Sequence, residues 1–227
     1  MAREIRVYQD LMGANDRWAA KTRALLAERG LAMLNLIGSA GSGKTALLEA
    51  SIPRLAGRVR IGVLEGDIAT THDAERIHRL GAPVSQLLSG GSCHLEAKLV
   101  HHALRDLPLA ELDLVVVENV GNLVCPAEFD VGETAKVAVL SITEGEDKPA
   151  KYPLLFSTAR AVVLSKTDLL PHLRFDLPAC QRYVRQVNAA APVFTLSAQQ
   201  GDGLAAWLEW LQALAAAGKA GALTKEA

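Results

Sequence analysis

The chain has 227 residues, 50% hydrophobic and 22% charged, and its 24 Lys and Arg offset 25 Asp and Glu to a formal net charge of −1. Such a composition builds a packed core and excludes an intrinsically disordered chain, and the lack of a basic surplus argues against a nucleic-acid partner, whose phosphates are held by clustered cations. Three cysteines are too few and too odd for a disulfide framework, which points to a reducing, cytoplasmic compartment.

Taken in order, Val7, Leu11, Ala14 and Trp18 recur at helical spacing, and Gly30 supplies a stop signal. Residues 31–37 read as a buried strand, far shorter than the roughly 20 apolar residues of a membrane span. Residues 1–5 carry charges of both signs and no apolar stretch, so no secretory leader is expected. Residues 38–45 form a loop leading into a helix expected to stop near Ile52, ahead of Pro53. Strand 59–64, helix 73–80 closed by Gly81, and strand 83–88 follow. Ser92 is the expected cap of a helix running to about Asp106, and this helix would carry His94, His101 and His102. Strand 112–118, strand 135–143, helix 151–158, strand 161–165, helix 176–190, strand 193–197 and a helix from Gly203 complete the series, with fraying expected from Ala213.

Continuous Val/Ile/Leu strands separated by helices predict a three-layer α/β/α fold around a mostly parallel sheet of about seven strands. Residues 1–30 would form a helical segment packed on a domain of residues 31–215, with residues 216–227 as a flexible tail.

Gly38-Ser39-Ala40-Gly41-Ser42-Gly43-Lys44-Thr45 fits G-x-x-x-x-G-K-[ST] in full, and it lies between a predicted strand and a predicted helix. The glycines let backbone N–H groups turn inward around phosphates, Lys44 reaches the β- and γ-phosphates, and the Thr45 hydroxyl is offered to Mg²⁺. Glu118, leaving a buried strand, and Asp67, opening a polar segment that a γ-phosphate would order, are the candidate carboxylates around that ion. Lys44, Asp67 and Glu118 would carry the chemistry. Ser165-Lys166-Thr167-Asp168 suits a guanine: Asp168 accepts from N1–H and the 2-amino group, and the Lys166 stem covers the base face. Ser197 and Ala198 would offer a backbone N–H to the guanine O6.

Cys93, His94 and Cys125 form a donor set suited to Zn²⁺ or Ni²⁺. Three ligands do not close a tetrahedral site, so a ligand position stays open or the site is shared across a two-fold axis. A helix N-terminus at Cys93 would favour its thiolate. His101, seven residues on, lies on the same helical face as His94 but roughly 10 Å away, too far for the same ion, His72, His78 and His172 read as solvated, and Cys180 reads as core. Glu118 and Cys125 share one short segment, so a shift at the first pulls on the second, and nucleotide and metal affinities become linked.

Together, the phosphate loop, Glu65-Gly66-Asp67, Asp73-Ala74-Glu75-Arg76-Ile77, Cys93-His94-Leu95, Glu118-Asn119-Val120-Gly121-Asn122-Leu123-Val124-Cys125-Pro126 and Thr143-Glu144-Gly145-Glu146-Asp147-Lys148-Pro149 resemble the HypB family, from about Asn35 to Gly203. The resemblance implies a P-loop GTPase of the signal-recognition-particle/MinD-like branch that couples GTP binding and hydrolysis to GDP with nickel delivery in [NiFe]-hydrogenase maturation. It implies a GTP-dependent homodimer holding Ni²⁺ or Zn²⁺ at Cys93, His94 and Cys125, with a HypA-type nickel chaperone and the hydrogenase large-subunit precursor as partners. Asp67 would match the switch I acid, and Lys148 would lie near the dimer face. Ser165 departs from the family's Asn, which braces the base loop against the phosphate loop; Ser is shorter with fewer donors, so guanine preference is expected to survive through Asp168 but in weaker form, and Gln199 stands where a Lys is common. The alternatives are a urease-accessory-type GTPase, disfavoured because Cys93-His94 and Cys125-Pro126 are separate, a small-molecule kinase, and a nucleotide-binding dimer with a structural zinc.

Overall fold

The computed structural model describes residues 2–67, 72–88 and 91–221, with side chains from residue 12 onward except those of Asp67 and His72. Its centre is a seven-stranded sheet in which all neighbouring strands run parallel: β1 (Ala32–Gly38), β2 (Ile61–Asp67), β3 (Val84–Leu88), β4 (Leu114–Glu118), β5 (Ala135–Ser141), β6 (Ala161–Ser165) and β7 (Val193–Thr195), ordered β3-β2-β4-β1-β5-β6-β7. Every residue of β1, β4 and β6 is buried, as expected of strands covered on both faces.

The helices are α1 (Ala2–Arg29), α2 (Lys44–Leu55), α3 (His72–His78), α4 (Ala97–Ala103), α5 (Cys125–Glu128), α6 (Lys148–Lys151), α7 (Pro153–Thr158), α8 (Leu177–Val187) and α9 (Leu204–Lys219). Alternation along the strands feeds separate cores. Leu34, Leu36 and Val116 pack with Leu47 of α2 and Trp207 of α9. Met33, Val115 and Val117 face the opposite way, with Leu26 of α1 and Val100 of α4. Ile37, Ala138 and Val162 pack with Phe156 of α7 and Cys180 of α8, which places Cys180 in the core as expected.

Four local expectations change. Helix α2 continues through Pro53 to Leu55, because a proline in the last turn forfeits only one intrahelical N–H. Helix α4 starts at Ala97, not near Ser92: Leu95 is drawn into the core, and the Ala97 N–H is capped by Asn15 Oδ1 of α1 at 2.9 Å. His94 therefore lies outside the helix that bears His101 and His102, and Cys93 is not at a helix N-terminus. The helix expected over 151–158 is two short helices, divided where Pro153 follows Tyr152. Helix α9 does not fray from Ala213: Leu214, Ala215 and Gly218 are buried, and Lys219 pairs with Asp113 at 2.8 Å. Residues 222–227 of the expected tail lie outside the described residues.

Strand order now positions the site. Strand β1 lies between β4 and β5, so its loop opens at the carboxyl edge of the sheet, where parallel α/β folds bind ligands. Glu118 ends β4 level with Leu36 of β1 on one side and Glu65 of β2 on the other.

Candidate nucleotide site and metal centre

Residues 38–43 connect β1 to α2. Gly43 precedes α2 at φ +94°, a left-handed conformation that a side chain would strain. Lys44, buried at the start of α2, rests its Nζ 3.4 Å from the carbonyls of Gly38 and Ser39, folded onto the loop it serves. Thr45 donates its hydroxyl to Glu118 Oε1 at 2.8 Å.

Glu118 and Glu65 are 4% and 2% exposed, which makes them a buried acid pair on adjacent strands. Burial pushes Glu65 up to about 10, reinforced by the charge of Glu118. Glu118 is also raised, by burial, against the pull of Lys44 and the Thr45 hydroxyl. Oε2 of each is buried without a protein partner. The orphaned Glu118 oxygen, beside a phosphate loop and the Thr45 hydroxyl, is the donor chemistry of Mg²⁺, with Glu65 next to it as a neutral acid. Glu65 was not among the residues expected to act; its signal is an acid near the end of a buried strand in register with Glu118. Asp67 ends β2, and its side chain lies outside the described ones.

The base loop is tied to the phosphate loop twice. The Ser165 hydroxyl donates to the Ser42 carbonyl at 2.6 Å, so this short residue, at the end of β6, still ties the base loop to the phosphate loop. Lys166, at φ +63°, donates from Nζ to the Gly41 carbonyl at 2.6 Å. Asp168 is half-buried at the start of a 3₁₀ turn, and the Thr167 N–H donates to Leu196 O at 3.3 Å. Ser197 is buried, but its N–H is already given to Asp202 O at 2.9 Å, so of the Ser197-Ala198 pair only Ala198 is left as a backbone donor for a base.

On the outer side lie Cys93, His94 and Cys125, whose donor atoms fall within 4.8 Å of one another. They are the group of three or more His, Cys, Asp or Glu among the described residues with such a spacing. Cys93 Sγ is 2.8 Å from Cys125 Sγ and 3.6 Å from His94 Nδ1. His94 stacks on Phe129 at 3.8 Å, and its buried Nε2 has no partner. Burial lowers its pKa, which keeps the imidazole in the neutral form that binds metal. The hydrogen bond to Cys125 raises Cys93, in place of the lowering expected from a helix N-terminus; a cation between the sulfurs would reverse that sign. His101 is buried elsewhere, bonded to Thr22 Oγ1 at 3.2 Å and packed on Trp18 together with His102.

Residues 118–125 bridge the two clusters. Asn119 donates from Nδ2 to Asn35 Oδ1 at 3.1 Å and from its N–H to Leu36 O at 3.0 Å. A Cβ on Gly121 would stand 2.8 Å from Ala40 N, so only glycine lets this segment lie flat on the phosphate loop. Asn122 Nδ2 donates to the Cys93 carbonyl at 3.2 Å, and its Oδ1 accepts from the Val124 N–H at 2.9 Å. An open cavity of about 640 Å³ between α8 and β7, lined by Arg182 and Arg185, shares no residue with either cluster.

Comparison with known proteins agrees with this layout. The CobW/HypB/UreG nucleotide-binding domain matches residues 32–195. The hydrogenase maturation factor HypB of Azotobacter vinelandii is 51% identical over 211 residues, covering 93% of this chain and 70% of that one, and its namesake in Escherichia coli K12 is 47% identical over 210, covering 92% and 72%. The crystal structure of HypB from Helicobacter pylori in complex with nickel superposes with a TM-score of 0.86 at 32% identity, over 94% of this chain and 99% of that one. The signal recognition particle 54 kDa protein of Aeropyrum pernix, 18% identical with a TM-score of 0.55 over 85% of this chain and 48% of that one, shares the fold.

Proposed function

Because the chain belongs to the HypB family of hydrogenase maturation factors, we propose that it hydrolyses GTP slowly and uses the GTP and GDP states to take up and release nickel. The observation that supports this most is the continuous segment from Glu118, bonded to Thr45, to Cys125, pinned on the way to Ala40 and Cys93.

Lys44 leaves the loop carbonyls for the β- and γ-phosphates as these enter. Thr45 and Glu118, with Asp67, would hold Mg²⁺, which when bound neutralises phosphate charge. Glu65 keeps a proton beside Glu118 and limits the negative charge of the pair. Asp168 accepts the guanine edge and Lys166 covers the base. With no arginine finger or water-positioning glutamine in these motifs, hydrolysis rests on positioning and charge neutralisation, and intrinsic turnover is slow.

Nickel is the cargo. Two sulfurs and a neutral imidazole suit Ni²⁺ and also Zn²⁺, and their surface position leaves ligand sites for a second copy of the chain or a receiver. We place this cycle in a GTP-dependent homodimer that exchanges nickel with a HypA-type chaperone and the hydrogenase large-subunit precursor. No described helix is long and apolar enough to cross a membrane, which is compatible with cytoplasmic work.

Calorimetry with Ni²⁺ and Zn²⁺, in GDP and in a non-hydrolysable GTP analogue, tests the coupling. Nickel affinities differing by about tenfold are expected; equal affinities, or tight zinc binding indifferent to nucleotide, would sink the delivery reading. Lys44→Ala should lower GTP turnover by about 10²–10³-fold, and turnover at the wild-type rate would refute the site.

A further inference from the structure

The segment Thr143–Pro149 resembles the family's, yet only Lys148 in it has been given a place. Its acid Glu144 touches the phosphate loop. Glu144 Oε2 accepts the Ser39 hydroxyl at 2.6 Å, and Oε1 accepts the Ser141 N–H at 3.1 Å. Lys148 Nζ, over the Tyr152 ring, is 4.0 Å from the same Oε2. Strand register brings this about: β5 is paired with β1 up to Gly38 opposite Val139, so the loop leaving β5 runs beside the loop leaving β1. A carboxylate next to a phosphate site repels the ligand unless a cation balances it and a bond to the loop repays it. Both conditions are met, by Lys148 and by Ser39.

We propose that Glu144 is a positioning residue of the phosphate loop: it anchors Ser39 from the β5 side, as Ser165 and Lys166 anchor Ser42 and Gly41 from the β6 side, and Lys148 neutralises its charge. The proposal deepens the nucleotide reading, and it rests on that reading only through the choice of a guanine probe. Ligand binding then becomes sensitive to a residue that need not touch the ligand.

The test measures GDP and pyrophosphate binding by calorimetry on the full chain, with thermal melting as the check on folding. Glu144→Ala should weaken both ligands by about tenfold, the cost of losing a charge-assisted hydrogen bond that holds the loop. Glu144→Gln, whose amide can still pair with Ser39 and Ser141, should stay within about threefold of wild type. Ser39→Ala combined with Glu144→Ala should be no worse than Glu144→Ala alone. Lys148→Met should weaken pyrophosphate binding in the wild-type background and have no effect in the Glu144→Gln background, a pattern that a purely structural role does not produce. Wild-type affinities in Glu144→Ala, or full additivity with Ser39→Ala, would overturn the proposal. If GDP binds no tighter than pyrophosphate, the guanine reading fails, while the order of the variants with pyrophosphate still decides the role of Glu144.

Discussion

The phosphate-loop end and the sulfur end of this molecule are built by opposite rules. Around Lys44 the groups are cross-tied, Thr45 to Glu118, Ser165 to Ser42, Lys166 to Gly41 and Glu144 to Ser39, and of these Thr45, Glu118, Ser165 and Ser42 are buried. Around Cys93 the backbone is a bend before α4 and a four-residue helix, Cys93 is exposed, and its ties to the bridge are the contact of its Sγ with Cys125 Sγ and the bond from Asn122 Nδ2 to its carbonyl. A rigid pocket senses a phosphate because small displacements are resisted and passed on; a loosely held ligand set can change geometry and let an ion go. In the proposed cycle, sensing falls to the first region and exchange to the second, joined by residues 118–125.

The largest expected effect separates the two ends. Cys93→Ala/Cys125→Ala should lower nickel affinity by about a hundredfold or more, since two of three donors are lost, while GDP affinity changes by less than about twofold. Retention of stoichiometric metal would remove the proposed centre.

Cutting the bridge comes next. Asn122→Ala, which removes a bond to the Cys93 carbonyl and not a donor atom, should leave nickel affinity in the GDP state within about threefold but shrink the GDP-to-GTP-analogue difference from about tenfold to under about threefold. An undiminished difference, read by the same calorimetry, would show that the coupling takes another route.

The rigid end also carries a cost. Glu65 has a folded pKa of about 10 against an unfolded value of about 4.3. Between those values the folded chain keeps a proton that the unfolded chain has released, so stability falls as pH rises. The contribution is complete below about pH 4.3 and is lost as pH rises through about 10. Glu65→Gln removes that slope. With Mg²⁺ chelated it should be more stable than wild type at pH 9, by on the order of 1–3 kcal/mol, and similar at pH 4.5. Equal denaturation midpoints at pH 9 would show that the pair is not held as described.

The smallest effect concerns one brace among several. Ser165→Ala removes the bond to Ser42 and should weaken GDP by about three- to fivefold, since Lys166 and Glu144 still hold the loop. A loss above a hundredfold would mean that the loop has a single anchor.

Much of this was legible in the sequence, for reasons that differ by element. The strands were legible because each is a short Val/Ile/Leu run buried on both faces, and the phosphate loop because its glycines are required by backbone conformation. Cys93, His94 and Cys125 were legible as a candidate donor set by residue type, and the family resemblance gave them the metal role. The start of α4 was not, because Asn15, 82 residues earlier, caps Ala97. Nor was the brace from Ser165: the length of a side chain does not tell how near its partner lies, and the proximity of β6 to the loop makes the short hydroxyl sufficient.

The sequence by itself determined the chemistry present, namely a phosphate loop, acids at strand ends and a thiol-imidazole set, because these depend on residue type and local spacing. Only the tertiary structure decided which acids meet, which carbonyls are already taken and what pins the bridge. Glu65 reaches Glu118, Glu144 reaches Ser39 and Gly121 lies on Ala40 through strand order and register, and these arise from packing the whole sheet rather than from any one segment.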